Sequence, residues 1–493
     1  MKLYGNFFKG IGLSRRVQSG FDDLTNCDVW SELGALKCQK ALTKKSGSVI
    51  TAGCYRAVAP DGTTYFFSKT DGMIWKRSVA GVYSYVRVNA VGSSSSSLSS
   101  SPSATRSASS SISISSSPST SVSSSLSVSA SVSTSGSTSI SSSISASISP
   151  SPSSGGDTGG HKGANYYNGC IFYTTDTYLG RYTIATDSWN DFFQLLTPGV
   201  PHAIEQFDLM MYITNSKDIA QLDDAGVFSS SGLDLPTEHR TTALIPYGDD
   251  LLTLSNPGDY INDSAIYRWN TYADSWTVKD AIKGTDAYAF LDADNNVFVI
   301  CLSGAIYYYN GSKLDIFSYI RNPYPTEGHQ LTTNFQGVPL VANGGKIYSL
   351  YRKTRDLDVA LVGEYTCSAG ESATIESIVA CGEQLLVNWT NNGDAGVDEI
   401  DTNYFANARV ITPRFERGSV VKVDYEDLNG AEIGIYSRKD KESNWTSHET
   451  LDDTDKHYVR TVDDMIHESG GQVLVTITPS GTESPIINDI KIE

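Results

Sequence analysis

Short apolar runs with alternating polar positions recur along most of the chain, and no stretch carries the spacing of a long amphipathic helix. From residue 49 these runs group into repeated units. Each unit has an apolar strand, a turn rich in Gly, Asp or Asn, and a second strand with aromatics at alternate positions. The clearest are Tyr65-Phe-Phe-Ser with Met73-Ile-Trp-Lys, Cys170-Ile-Phe-Tyr with Leu179-Gly-Arg-Tyr-Thr183, and Leu209-Met-Met-Tyr-Ile with Ile219-Ala-Gln-Leu. Leu251-Leu-Thr-Leu with Ala265–Trp269, Val297–Cys301 with Ala305–Tyr309, and Val338–Val341 with Lys346–Leu350 continue the series, and Gln384–Trp389 with Val397–Ile400 is a weaker last member.

The isoleucine of the second strand sets the period. Ile219, Ile266, Ile306 and Ile347 are separated by 47, 40 and 41 residues. Short strands repeating at that interval predict β-propeller blades, because each small sheet buries its faces only against its neighbours. The expected architecture is all-β: a propeller of six or seven blades over residues 49–410, with two stacked sandwiches as the other way to arrange such strands. Arg181–Trp189 and Arg268–Trp276 resemble kelch repeats, where an aromatic strand, a polar turn and a Trp close each blade. That likeness implies architecture and no activity.

Outside the units the pattern changes three times. Residues 1–48 read as an N-terminal arm, with turns at Asn26, Gly34 and Gly47 and one candidate strand, Leu36–Leu42. Residues 411–493 alternate apolar and polar positions in runs such as Ser419–Tyr425, Glu432–Tyr436 and Gln472–Thr478, separated by Asn429-Gly430 and Gly470-Gly471. This predicts a C-terminal antiparallel β-sandwich. Residues 93–155 form a Ser-rich insertion within the propeller span. Every odd position from Ser93 to Ser153 is Ser except Thr105. A segment this poor in large apolar groups is a natural flexible linker. A two-residue period also places the serines on one face of a strand and Ile112, Val122, Leu126, Ile140 and their like on the other, which suits an assembly element. Both readings stay open at this point.

Composition narrows the function. The 493 residues carry 37 Lys+Arg against 55 Asp+Glu, a formal charge of −18, which disfavours a general nucleic-acid binder. The charge is uneven: eight basic against four acidic residues in 1–48, and nine against seventeen in 411–493, a distribution that suits head-to-tail contacts between copies as well as plain solubility. Seven scattered cysteines without CxxC spacing indicate neither a disulfide framework nor a zinc site, and fit synthesis in a reducing cytoplasm. The first residues lack a hydrophobic signal core, and no run is long enough to span a membrane.

No catalytic, cofactor-binding or metal-binding residues emerge. Most carboxylates sit in turns (Asp71, Asp176, Asp259, Asp263, Asp394), where they serve turn geometry. Ser68–Trp75 is near a sialidase Asp box but has the wrong Asp–Gly spacing and does not recur. Asp292–Asn296 alternates oxygen ligands as calcium turns do, yet lacks the glycine and distal glutamate of an EF-hand, so a plain β-turn is the expectation. Tyr307, Tyr308 and Tyr309 offer faces for stacking on sugars, but alternation points Tyr308 opposite to its neighbours, so part of this run belongs to a core.

The two ends of the chain resemble virion tail proteins of tailed bacteriophages. The likeness rests on Asn6–Gly10, Asp22–Asp28, Gly34-Ala-Leu-Lys37 and Ala41-Leu42 at the start, and on Ser484–Ile490 at the close. In tail-hub, nozzle and related propeller proteins a short arm leads into the first blade in this way. The resemblance implies a non-enzymatic structural component of a phage tail, hub- or nozzle-like or an adaptor. It would be a homo-oligomer in contact with other tail proteins, assembled in the host cytoplasm and carried in the virion. The serine tract departs from that plan. A carbohydrate- or receptor-binding adhesin, contacting a host surface glycan or receptor, is the alternative.

Overall fold

In the computed structural model the described residues are 2–3, 23–28, 36–88, 160–235, 239–257, 264–270, 275–282, 286–293, 296–311, 314–320, 323, 328–351, 360–412, 414–415, 420–439, 444–452, 459–462, 471–481 and 483–492. All belong to one compact unit drawn from Met1–Val91 and Asp157–Glu493. The serine tract and most of the first 22 residues lie outside them.

Six blades are built from four consecutive antiparallel strands each. Blade 1 is Cys54–Val58, Thr64–Ser68, Met73–Arg77 and Tyr83–Val88. Blade 2 is Gly163–Tyr167, Cys170–Thr174, Tyr178–Thr183 and Ser188–Leu195. Blades 3, 4, 5 and 6 begin at Ile204–Phe207, His239–Tyr247, Ala287–Ala293 and Thr332–Phe335, in that order. A seventh blade is composite. Thr374–Cys381, Gln384–Asn391 and Asp394–Tyr404 receive their outermost strand, Lys40–Lys44, from the N-terminal end of the chain. The innermost strands follow one another around the ring, and the seventh packs back on the first.

Local chemistry sets the hairpins. Asn168-Gly169, Gln336-Gly337 and Asn392-Gly393 have positive φ at both residues (44° and 77°, 51° and 78°, 48° and 90°). They close two-residue loops in which Tyr167 faces Cys170, Phe335 faces Val338 and Asn391 faces Asp394. Turns of this hand match the twist of the strands they join. Within a strand, alternation then feeds two different cores. Ile171 and Tyr173 pack against blade 1 residues such as Phe67, whereas Phe172 packs with Met211 and Ile213 of blade 3. Likewise Tyr307 and Tyr309 join the core toward blade 4, and Tyr308 packs on Phe298 toward blade 6. The kelch-like Trp189 and Trp276 open the outer strands of blades 2 and 4, where they pack on Tyr182 (4.1 Å) and Tyr267 (5.2 Å).

The C-terminal region is a sandwich, and its sheets reach beyond residues 411–493. One sheet orders Asp23–Thr25, Ala408–Ile411, Gly471–Thr478, Glu432–Lys439 and Thr446–Leu451, and it is continuous with blade 6 through Ala360–Thr366. The other orders Lys2–Leu3, Ile487–Ile492, Val421–Tyr425 and Val459–Val462. Val410, Val423, Ile435, Val475 and Ile490 fill the space between them together with Leu24 and Leu36.

The boundaries at 48/49 and 410/411 therefore each cut through paired strands. Residues 40–44, read from the sequence as part of an arm, complete blade 7, because the last blade has no following chain of its own to supply a fourth strand. The single strand expected over Leu36–Leu42 divides at Gln39: Lys37–Cys38 turns toward the sandwich and Lys40–Lys44 toward the propeller. Asn26 and Gly47 are turns as expected, both with positive φ.

Blade 7 is locked to blade 1 by a buried ion pair. Arg77 Nε and Nη2 donate to Glu399 Oε1 and Oε2 at 2.7 and 2.9 Å, and Tyr83 OH donates to Oε1 at 2.7 Å. Burial alone would raise the Glu399 pKa, but the hydrogen bonds and charge of its partners outweigh it and hold the carboxyl below its ordinary value of 4.5. A carboxyl with a depressed folded pKa adds stability above its unfolded value and loses it as pH falls through the folded one. Glu399→Ala leaves Arg77 buried without a partner and is expected to cost about 3–5 kcal/mol at neutral pH, with the difference from wild type shrinking in acid. Urea melts of both proteins across that pH range test this; an equal midpoint at neutral pH would remove the lock from the account.

Gly363 marks a second constraint. A Cβ there would sit 2.5 Å from the Leu24 carbonyl oxygen, where Asp23–Thr25 crosses from sandwich to blade 6. Gly363→Ala is expected to destabilise by about 1–3 kcal/mol and to loosen residues 23–28 before the blades. Hydrogen exchange resolved by segment reads this, and unchanged protection at 23–28 would contradict it.

Candidate functional site: the axial cavity

The ring leaves a cavity of about 220 Å³ on its axis, lined by the innermost strands of blades 1 to 6. Those strands are short, and each turns one side toward the axis instead of toward a neighbouring blade. Arg56 comes from blade 1, Asn165 from blade 2, Glu205 from blade 3, Asp292 from blade 5, and Thr333 and Asn334 from blade 6.

One end is laced by the segment before blade 6. Gln330 Oε1 accepts from Arg56 N–H at 2.6 Å, and its Nε2 donates to Arg56 O at 3.0 Å and Ala164 O at 2.9 Å. Gln330 O accepts from Ile378 N–H of blade 7 at 3.0 Å. One side chain and its backbone thus tie blades 1, 2 and 7 together at the axis. Beside it the His329 ring stacks on Tyr55 at 5.1 Å, and Lys69 Nζ lies over the Tyr55 ring, 4.7 Å from its centre. Lys69 is itself paired with Glu376 at 2.8 Å. Burial, with Lys69 and Arg56 adding to it, pushes the His329 pKa down to about 3, so the ring is neutral at physiological pH.

Arg56 and Glu205 each form no ion pair among the described residues. Arg56 donates through Nε to Ile378 O at 3.0 Å. Glu205 accepts from the Gln206 N–H at 3.2 Å. Each feels the other's field across the cavity without touching it. Both groups keep partial solvent contact through the cavity, so the environment around them is wet. Burial lowers Arg56 to about 10 and raises Glu205 to about 7, each moderated by the other.

The remaining sequence candidates take ordinary structural places. Asp71 Oδ1 accepts from Met73 N–H at 3.1 Å, Asp176 Oδ1 from Gly199 N–H at 3.0 Å, and Asp394 Oδ1 from Ala395 N–H at 2.8 Å. Asp259 and Asp263 lie outside the described residues, as do Asp294 and Asn295. Asp292 and Asn296 flank the tight hairpin of blade 5, and no cluster of metal-ligating side chains occurs among the described residues. All seven cysteines are free, and no helix of the described residues is long and apolar enough to cross a membrane.

Sequence reasoning missed Arg56, Glu205 and His329. The available signal was a charge in the middle of a short strand with buried neighbours: Cys54-Tyr-Arg-Ala-Val58 and Ile204-Glu-Gln-Phe207.

The fold and its cavity define a seven-bladed β-propeller protein with a polar axis, joined to a β-sandwich. No family model matches the chain, and no curated protein sequence matches it. Similar solved structures include streptogramin B lyase, with 10% identity over 74% of this chain and 98% of that one at a TM-score of 0.45. The virginiamycin B lyase of Staphylococcus aureus matches with 11% identity over 71% and 95%, TM-score 0.44, and the RRP9 WD40 repeats with 11% over 74% and 99%, TM-score 0.47. The propeller itself is established by the strand pairing.

Arg56 stabilises the ionised form of Glu205, so its removal is expected to raise the Glu205 pKa further above about 7. A carboxyl titrating above its unfolded value makes the fold lose stability as pH rises from about 4.5 to 7, so Glu205→Gln is expected to stabilise the protein at neutral pH by on the order of 1 kcal/mol, allowing for the wet cavity. Carbon-13 NMR of the Glu side chains in wild type and Arg56→Gln checks the first statement. A Glu205 titration near 4.5 in both would refute it.

Proposed function

We propose that the protein is a non-enzymatic structural component of a phage tail, hub- or nozzle-like or an adaptor, working as a homo-oligomer in the virion beside other tail proteins. One observation carries the reading. The two sequence ends that resemble tail proteins meet in space. Leu36 exchanges both backbone hydrogen bonds with Ile487, and Cys38 N–H donates to Ser484 Oγ at 2.7 Å. Thr25 bridges blade 6, and Asp23–Thr25 pairs with Ala408–Ile411. The stretches behind the resemblance thus form one joint that sets the sandwich against the propeller, which is what a rigid wall or hub subunit needs. The opening residues 6–10 of that resemblance lie outside the described residues.

An adhesin remains the second reading, because Tyr85, Trp276 and Tyr319 expose about half of their surface on the outer strands of blades 1, 4 and 5. They stand on three separate blades, and Tyr309 of the sugar-stacking candidate run is fully buried. That weakens a shared glycan platform.

The purified full-length protein is expected to form closed rings or stacks of uniform copy number by electron microscopy and multi-angle light scattering. A monomer at all concentrations, together with glycan-array binding lost in Trp276→Ala or Tyr85→Ala, would replace the structural reading with the adhesin.

A further inference from the structure

Besides Asp292 of blade 5, the axial lining holds a basic and an acidic group, Arg56 and Glu205, that the protein leaves apart. They come from blades 1 and 3, with blade 2 between them. Arg56 donates through Nε to Ile378 O, and its Nη groups have no hydrogen-bond acceptor among the described residues. The Glu205 carboxylate has one backbone donor and no cation at ion-pair distance among the described residues. The His329 Nε2 beside them is buried with no hydrogen-bond partner. Enclosing unmatched charge is costly, and closing the ring does not by itself call for a charged side chain at either position. Asn165, Asp292, Thr333 and Asn334 add polar groups to a lining that also carries apolar residues such as Leu244, Ile245 and Phe290.

We propose that the axial cavity is a binding site for a small zwitterion, an amino-acid-sized molecule whose carboxylate meets Arg56 and whose ammonium meets Glu205. A guanidinium with two free N–H edges is the natural receptor for a carboxylate. Glu205, half-buried and only distantly balanced by Arg56, gains most from a cation brought directly against it. A simple carboxylate would satisfy Arg56 and leave Glu205 unmatched; a simple amine would do the reverse. The volume of about 220 Å³ is ample for an amino-acid-sized molecule. The site lies within one chain, so it stands or falls independently of the tail assignment.

The test uses the full chain, with glycine, 4-aminobutanoate and 6-aminohexanoate as probes of increasing charge separation. Butanoate and butylamine are the single-group controls. Calorimetry is expected to give at least one zwitterion a Kd of about 1 mM or tighter, with both controls about tenfold weaker or more. Arg56→Gln and Glu205→Gln should each lose about tenfold while far-UV circular dichroism stays native. Should Arg56→Gln not fold, Glu205→Gln decides alone. Absence of heat and of any melting shift with all three zwitterions overturns the proposal. Butanoate binding as tightly as the zwitterions, or binding that survives Glu205→Gln, overturns it too.

Discussion

A four-stranded blade has two apolar faces and nothing of its own to cover them. That constraint shapes the whole molecule. Alternation along one strand sends Ile171 and Tyr173 to one neighbour and Phe172 to the other, so each blade is core for two interfaces. An open row of blades would leave an apolar face at each end, and only a closed ring removes both. Closure in turn demands a fourth strand for the last blade. Lys40–Lys44 supplies it, pairing with residues more than 350 positions away, and the chain's two ends become one structural element.

The other long-range features follow from that closure. Once residues 40–44 are fixed in blade 7, the preceding chain must leave along blade 6 and the sandwich. Asp23–Thr25 lies between Ala360–Thr366 and Ala408–Ile411, and the sandwich sheet grows from the blade without a break. Gly363 permits the backbone contact that this passage needs. Arg77, Tyr83 and Glu399 sit at the seam where the first and last blades meet, the place where a ring under strain would open. Charge is tolerated there because hydrogen bonds satisfy the carboxylate from three directions.

The second and third strands of each blade were legible in the sequence, because both their faces are buried and their aromatics alternate. Val297–Cys301 and Ala305–Tyr309 are examples in which even the opposite orientation of Tyr308 could be read. The innermost strands were harder. Gly163–Tyr167 and Thr332–Phe335 are short, and the side turned to the axis is free to carry Asn or Thr, so the alternation that marks a buried strand fails. Lys40–Lys44 was illegible for a different reason. Lys-Ala-Leu-Thr-Lys has one buried residue, Leu42, and its partner is chosen by ring closure rather than by local pattern. The cavity charges escaped because a lone Arg or Glu in a strand looks like any surface residue until the ring places it on the axis.

That placement changes what a charge means. In the turns, Asp71 and Asp394 bond to nearby backbone, and their presence is explained by the loops they shape. Between blades, Glu399 is explained by the Arg77 it holds. On the axis neither explanation applies. The inner strands of a propeller meet no neighbour there, so folding does not dictate which residue faces inward, and a wall-forming protein would lose nothing by lining the cavity with alanine and valine. Lacing by Gln330 shows how such a cavity is made rigid with neutral groups that satisfy one another. Arg56 and Glu205 follow the opposite logic: they oppose the preference for neutral burial, and neither is neutralised by direct contact. Arg56 spends only its Nε on the backbone, at Ile378, and Glu205 has a single backbone donor, so most of the hydrogen-bonding capacity of both charges faces the cavity.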